Sequence, residues 1–152
     1  MPPPSTSREN GFVLIAASIS MLLLLAVLGL AFDVGRIYIT HNEAQIFTDA
    51  AAMAAAAKLD GTPAGVARAR EAVAKLPMRW DLGTKPFTGV VVEFSADGQR
   101  WNETDPTAIG LARVTAPSNE VEITLLRAAG GPATLTVPAH SVAAANPVRL
   151  VE

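Results

Sequence analysis

The sequence predicts an α+β protein: one transmembrane helix that continues into an alanine-rich helical stem, then a small antiparallel β-rich domain. Three observations predict it. An uncharged apolar run occupies residues 11–32. A proline-free, alanine-rich stretch follows it directly. From Trp80 onward the pattern changes to short β-branched segments divided by turn residues.

The apolar run reads GFVLIAASISMLLLLAVLGLAF, 22 residues from Gly11 to Phe32, and Ser18 and Ser20 are its only polar side chains. At 1.5 Å per residue it spans roughly 33 Å, about the thickness of a bilayer core. Thirteen of its residues are Leu, Ile, Val or Phe, and at about −0.3 to −0.6 kcal/mol each they favour insertion by roughly 4–8 kcal/mol. The competing reading is a secretory signal cleaved near Ala31, after Gly29-Leu30-Ala31. Its apolar region would normally be about 7–15 residues behind a basic leader, whereas here Arg8 stands beside Glu9. Residues 1–10, MPPPSTSREN, are expected as a disordered polar tail.

Residues 33–76 form the predicted stem. From Asp33 to Gly61 there is no proline, and alanine dominates Ala50 to Ala57, so the helix should run on from the span to about Leu59. Ile39, Ile46 and Met53 lie seven apart, and Gly35 could mark a bend. Thr62 suits an N-cap, Pro63 the first helical position, and Pro77 a stop, which sets a second helix ending near Leu76. Residues 80–145 form the β-rich region. Candidate strands are Val90–Phe94, Gln99–Trp101 returning from an Asp97-Gly98 hairpin turn, Ala112–Thr115 stopped by Pro117, Glu120–Leu126, and Thr134–Val137. Residues 146–152 begin at Asn146-Pro147 and read as a tail.

Composition narrows the chemistry. Net charge is −2 with 12 basic and 14 acidic residues, which gives no basis for gripping a phosphate backbone, so no nucleic-acid partner is expected. Cysteine is absent, which removes disulfides and thiolate catalysis. His41 and His140 are far apart without an evident partner, and no nucleophile–base pair or ligand cluster stands out. The reading is therefore no enzyme, no cofactor and no metal site. Asp33 and Arg36 are the most informative charges: three apart at the end of the span, they share a helix face, either as a solvated pair or as a register element between membrane helices.

The order of an apolar span, then Asp33-Val34-Gly35-Arg36-Ile37-Tyr38, then Asp49-Ala50-Ala51-Ala52-Met53-Ala54-Ala55-Ala56 resembles the N-terminal domain of TadG-like proteins of the Flp (tight-adherence) pilus system, over residues 9–60. The resemblance implies a single-pass inner-membrane protein, N-terminus cytoplasmic and C-terminal region periplasmic, acting as a structural or assembly factor. Its partners would be membrane lipid, other pilus-assembly or envelope proteins, and a second copy through the stem. Asp33, Gly35, Arg36 and Tyr38 would form a juxtamembrane motif. Asp49, Ala50, Ala51, Ala52, Ala54, Ala55 and Ala56 would form a helix-packing surface, since small residues let helices approach closely. Two departures stand out. The metal-binding D-x-S-x-S motif of longer relatives does not appear in these residues. Ala16 occupies the position where processed pseudopilins carry a glutamate. The alternatives are a secreted periplasmic binding module and a minor pilin-like subunit. Arg8 and Arg36 flank the span evenly, so orientation rests on the resemblance and not on charge bias.

Overall fold

A computed structural model describes residues 7–101, 103–128 and 130–145. The segments 1–6 and 146–152, expected as tails, lie outside the described residues. Helix α1 runs unbroken from Ser7 to Ala56, about 75 Å at 1.5 Å per residue. It starts inside the segment expected as tail and passes through Gly35. It ends in a tightened turn, where the N–H of Lys58 donates to the Ala55 carbonyl at 3.0 Å. Gly61, in the left-handed conformation (φ 78°), then turns the chain into the Thr62 cap of the next helix.

The two halves of α1 meet different surroundings. From residue 11 to residue 32 the side chains are exposed on every face, with Gly29 the one buried exception. From Asp33 onward one stripe turns inward: Asp33, Thr40, Ala44, Phe47, Thr48, Ala51, Ala52, Ala55 and Ala56 are buried, with Ile37 packed partly against the core. The steps of three and four residues place these positions along one side of the helix. Ile39, Ile46 and Met53, the heptad-spaced set, lie off that stripe and are exposed.

Among the described residues five strands follow. β1 (Arg79–Trp80) and β2 (Lys85–Pro86) make a short hairpin. β3 (Val91–Ser95), β4 (Leu111–Glu122) and β5 (Thr134–Ala144) form an antiparallel sheet in the order β3-β4-β5. Helix α1 lies across β5 and β4. The inner face of the sheet carries Ala112, Val114, Ala116, Val121, Val137 and Ala139, all buried. Small side chains thus face the alanines of α1, and Phe47, Trp80, Phe87 and Phe94 fill the remaining space. Phe47 and Phe87 meet edge-to-face with centroids 5.0 Å apart. Helix α2 (Pro63–Ala74) adds Ala69 and Val73 to the same core. Its N-cap, Thr62, accepts from the Gly65 N–H at 3.0 Å. Stem and sheet therefore share one core.

The α+β class agrees with the sequence, but four of the five strand assignments do not. Ala112–Thr115 and Glu120–Leu126 are not separate strands: β4 is continuous through Pro117. Between Ala116 and Asn119 the strand advances one residue more than β5 does, a bulge that takes Pro117 out of the ladder so that its missing N–H costs no strand pairing. Pro138 of β5 lies opposite the same irregularity, on an edge strand. β5 accordingly runs to Ala144, well past Val137. Gln99–Trp101 does not return as a strand. Ser95 Oγ accepts the N–H groups of Asp97 and Gly98, and the Asp97 carboxylate accepts those of Gln99 and Arg100. These bonds close a local turn, and β3 pairs with β4 instead. Finally, Leu125 and Leu126 do not extend β4. They begin the one-turn helix α3 (Leu125–Ala128).

Candidate functional site

The residues at the junction between the bare half of α1 and the packed half form a clamp. Asp33 is only 1% exposed. Its carboxylate accepts three backbone N–H groups from the far end of the chain: Thr124 at 3.1 Å, Leu125 at 2.9 Å and Leu126 at 2.6 Å. These are the donors that a helix start leaves without intrahelical partners. The bond from Leu126, with those from Thr124 and Leu125 and the nearby positive Arg36, holds the carboxyl below the usual aspartate range, against the opposing effect of burial. Asp33 thus caps α3 across 91 residues of sequence.

Arg36 reaches a different segment. Its guanidinium donates to both carboxylate oxygens of Asp81, at 3.0 and 3.2 Å, and to the carbonyl of Glu122 at 3.3 Å. Asp81 begins the turn of the β1–β2 hairpin and is 5% exposed. Asp81, Leu82 and Gly83 all have positive φ, 56°, 63° and 70°. Two consecutive non-glycine residues in the left-handed region are costly. The turn is fixed to α1 at both of them: Arg36 grips Asp81, and Glu43 accepts the Leu82 N–H at 3.0 Å. Lys85 adds a second cation 3.4 Å from Asp81.

Between the clamp and the exposed half of α1 lies an open cleft of about 510 Å³, with Ala31, Phe32, Gly35 and Ile39 on one side and Leu82 on the other. Nothing stands within 4 Å of the place where a Cβ on Gly35 would be. Tyr38 points away and is exposed. The motif residues therefore divide: Asp33 and Arg36 hold the C-terminal segments, Gly35 lines the cleft, and Tyr38 faces outward. The two charges are not a solvated pair.

Further along α1, a polar cluster pins the stem to β5. Gln45 Nε2 donates to Asp49 Oδ1 and to Ser141 Oγ, each at 2.9 Å, and Thr48 Oγ1 lies 3.0 Å from Ser141 Oγ. Ser141 Oγ also donates to Asp49. Of the alanines, Ala51, Ala52, Ala55 and Ala56 are buried against the chain's own sheet and α2, Ala54 is half-buried and Ala50 is exposed. Four of the small residues expected to meet another helix are thus packed within the chain, and Asp49 and Ala50 stay exposed.

Sequence reasoning missed Gly29, Glu43, Asp81, Leu125 and Ser141. Only Gly29 carried a signal, as a residue without a side chain in a run of large aliphatics; the others depend on segments up to 96 residues apart in sequence. Among the described residues no group of three His, Asp or Glu side chains is placed to hold a metal.

Fold and site together define a class: a long, one-sided helix, apolar enough over its first half to cross a membrane (mean hydropathy 2.7 in its most apolar window), clamped at mid-length to a small α+β body. Residues 11–58 match the family described as "Putative Flp pilus-assembly TadE/G-like". That match covers the bare half of α1, the clamp residues Asp33 and Arg36, and the alanine stripe, and it stops before α2. No curated protein and no solved structure matches the chain.

Proposed function

We propose that this protein is a single-pass envelope protein that works as a structural or assembly factor of an Flp-type pilus or a related secretion system. Helix α1 anchors it in the inner membrane, with the α+β body on the periplasmic side. The observation that carries the reading is the division of α1 at Asp33. Below it large aliphatic side chains are exposed on every face, an arrangement unfavourable in water and favourable in lipid. Above it the helix is amphipathic and carries a folded body.

Such a factor acts by contact. The outward side of α1 offers a surface for it. Tyr38, Ile39, Ile46 and Met53 are exposed, and Ile46 borders an apolar groove of about 340 Å³ with Phe47, Leu76 and Pro77. Isolated exposed apolar residues are ordinary, whereas a row of them along a helix that continues an anchor suits another helix rising from the same membrane. A second copy and another pilus-assembly protein are both candidates for that helix. The test is the intact mass and fractionation of the protein from a native-type host. Recovery at full length in the membrane fraction, extracted by detergent and not by alkaline carbonate, is expected. A soluble chain lacking residues 1–31 would replace this reading with a secreted binding module. A chain lacking only residues 1–11, found in sheared fibres, would replace it with a minor pilin. Accessibility of the body to protease in spheroplasts, and not only in lysed cells, checks the orientation.

A further inference from the structure

Gly29 is the one buried residue of the otherwise bare apolar half of α1. What covers it is Leu125: a Cβ built on Gly29 would lie 3.0 Å from the Leu125 Cβ. The body therefore does not stop at the end of the apolar run. It reaches one turn below Asp33, alongside residues that are themselves apolar.

The arithmetic gives the depth of that contact. From Gly11 to Gly29 the helix rises about 27 Å at 1.5 Å per residue, slightly less than the roughly 30 Å hydrocarbon core of a bilayer. A bilayer that covers the exposed aliphatics of α1 from Gly11 upward must extend to the level of Gly29. Leu125 then stands at the hydrocarbon boundary. α3 is suited to that position. None of its residues is buried in the protein, and Leu125 is 45% exposed. On the adjoining side of α1, Leu82 at the tip of the β1–β2 hairpin is 56% exposed and overhangs the cleft that opens onto Ala31 and Phe32. Both leucines are held at their heights by the clamp, Leu125 through Asp33 and Leu82 through Arg36 and Glu43.

We propose that α3 and the β1–β2 turn form a membrane-seating surface, with Leu125 entering the hydrocarbon edge and Leu82 the headgroup layer of the same bilayer that holds α1. The occupant of this surface is lipid, because its depth is fixed by the covalent continuity and rigidity of α1. The body then sits on the membrane in one orientation and does not swing on a stalk, and the stripe of Ile39, Ile46 and Met53 is presented sideways, parallel to the membrane normal. This inference rests on reading α1 as the anchor.

The chain has no cysteine, so single nitroxide labels can be placed without background. Full-length Leu125→Cys and Leu82→Cys would be labelled and reconstituted in phosphatidylcholine–phosphatidylglycerol nanodiscs, with Leu22→Cys in mid-span and Val142→Cys on β5 as references. Collision with oxygen and with a water-soluble nickel chelate is then read at each position. The expected result is loss of nickel accessibility at Leu125 and a partial loss at Leu82, relative to Val142, with Leu22 the most protected. Labels at Leu125 and Leu82 as accessible to nickel as Val142, while Leu22 stays protected, would overturn the seating and leave the anchor intact. Nickel access at Leu22 as well would overturn both. If Leu125→Cys lowers the melting temperature, Leu126→Cys on the same turn takes its place.

Discussion

Replacing Ala55 with leucine should unfold this protein more readily, not alter how it associates. Ala55 is fully buried in the shared core of stem and sheet. An isobutyl group there has no space and must push α1 off its neighbours. Overpacking of this kind costs about 1–3 kcal/mol. The folded body is a little over 100 residues long, a size at which 1 kcal/mol shifts the melting temperature by about 4 °C, so a drop of about 4–12 °C is expected. Ala50, five residues back on another face of the same helix, is exposed, and Ala50→Leu should stay within about 0.5 kcal/mol of the parent. The assay is thermal unfolding of the full-length protein in detergent, followed by near-UV circular dichroism from Trp80 and Trp101, with cross-linking in membranes measured in parallel. Equal melting temperatures for the two variants, with cross-linking lost only in Ala55→Leu, would refute the argument. That outcome would mean the alanine face meets another helix and the packing described above is wrong.

The Asp33 carboxyl is held below its usual value of 3.8 by the N–H groups of Leu126, Thr124 and Leu125. A lowered folded value means that its contribution is complete above about pH 4 and is lost as pH falls below 3.8 through the folded value. Asp33→Asn should therefore be less stable than the parent at neutral pH and converge with it in acid, as read by urea midpoints across that range; parallel curves would contradict it. Arg36→Gln leaves the nearly buried Asp81 with Lys85 as its remaining ion-pair partner, so a loss of about 1–3 kcal/mol and faster proteolysis at the β1–β2 turn are expected. An unchanged cleavage rate there would show that Glu43 and Lys85 hold the turn without Arg36. Thr40 is buried, and its hydroxyl has no partner among the described residues; Thr40→Val keeps the shape and removes that group, so stability should hold or rise by up to about 1 kcal/mol, and a clear fall in the denaturant midpoint would reveal a hidden partner.

What could be read along the chain was whatever local pattern decides. The apolar run, the alanine-rich continuation, the Thr62-Pro63 helix start and the alternation of Val121 and Ile123 with their exposed neighbours are each settled within a few residues, because helix period, strand period and capping are short-range. The resemblance over Asp33 to Ala56 belongs with them, since it rests on spacing inside one helix. The misreadings have a common cause. Pro117 ends a strand if its missing N–H is needed, and only the bulge against β5 shows that it is not. Leu125 and Leu126 continue a hydrophobic strand until the carboxylate of Asp33 collects their N–H groups. The exposed positions Ile39, Ile46 and Met53 carried the visible heptad, while the stripe that packs is made of residues as small as Ala44, Ala51 and Ala55.

The sequence by itself determined that this is an α+β chain with one helix long and apolar enough to cross a membrane, and that its first third has the pattern of TadE/G-like proteins. Only the tertiary structure decided what the charged motif does. Asp33 and Arg36 are three residues apart on a helix, yet their partners lie 91 and 45 residues away. Hydrogen bonds and ion pairs act over about 3 Å, so the role of such a side chain is set by whichever distant segment the fold brings within that reach, and no local spacing encodes it.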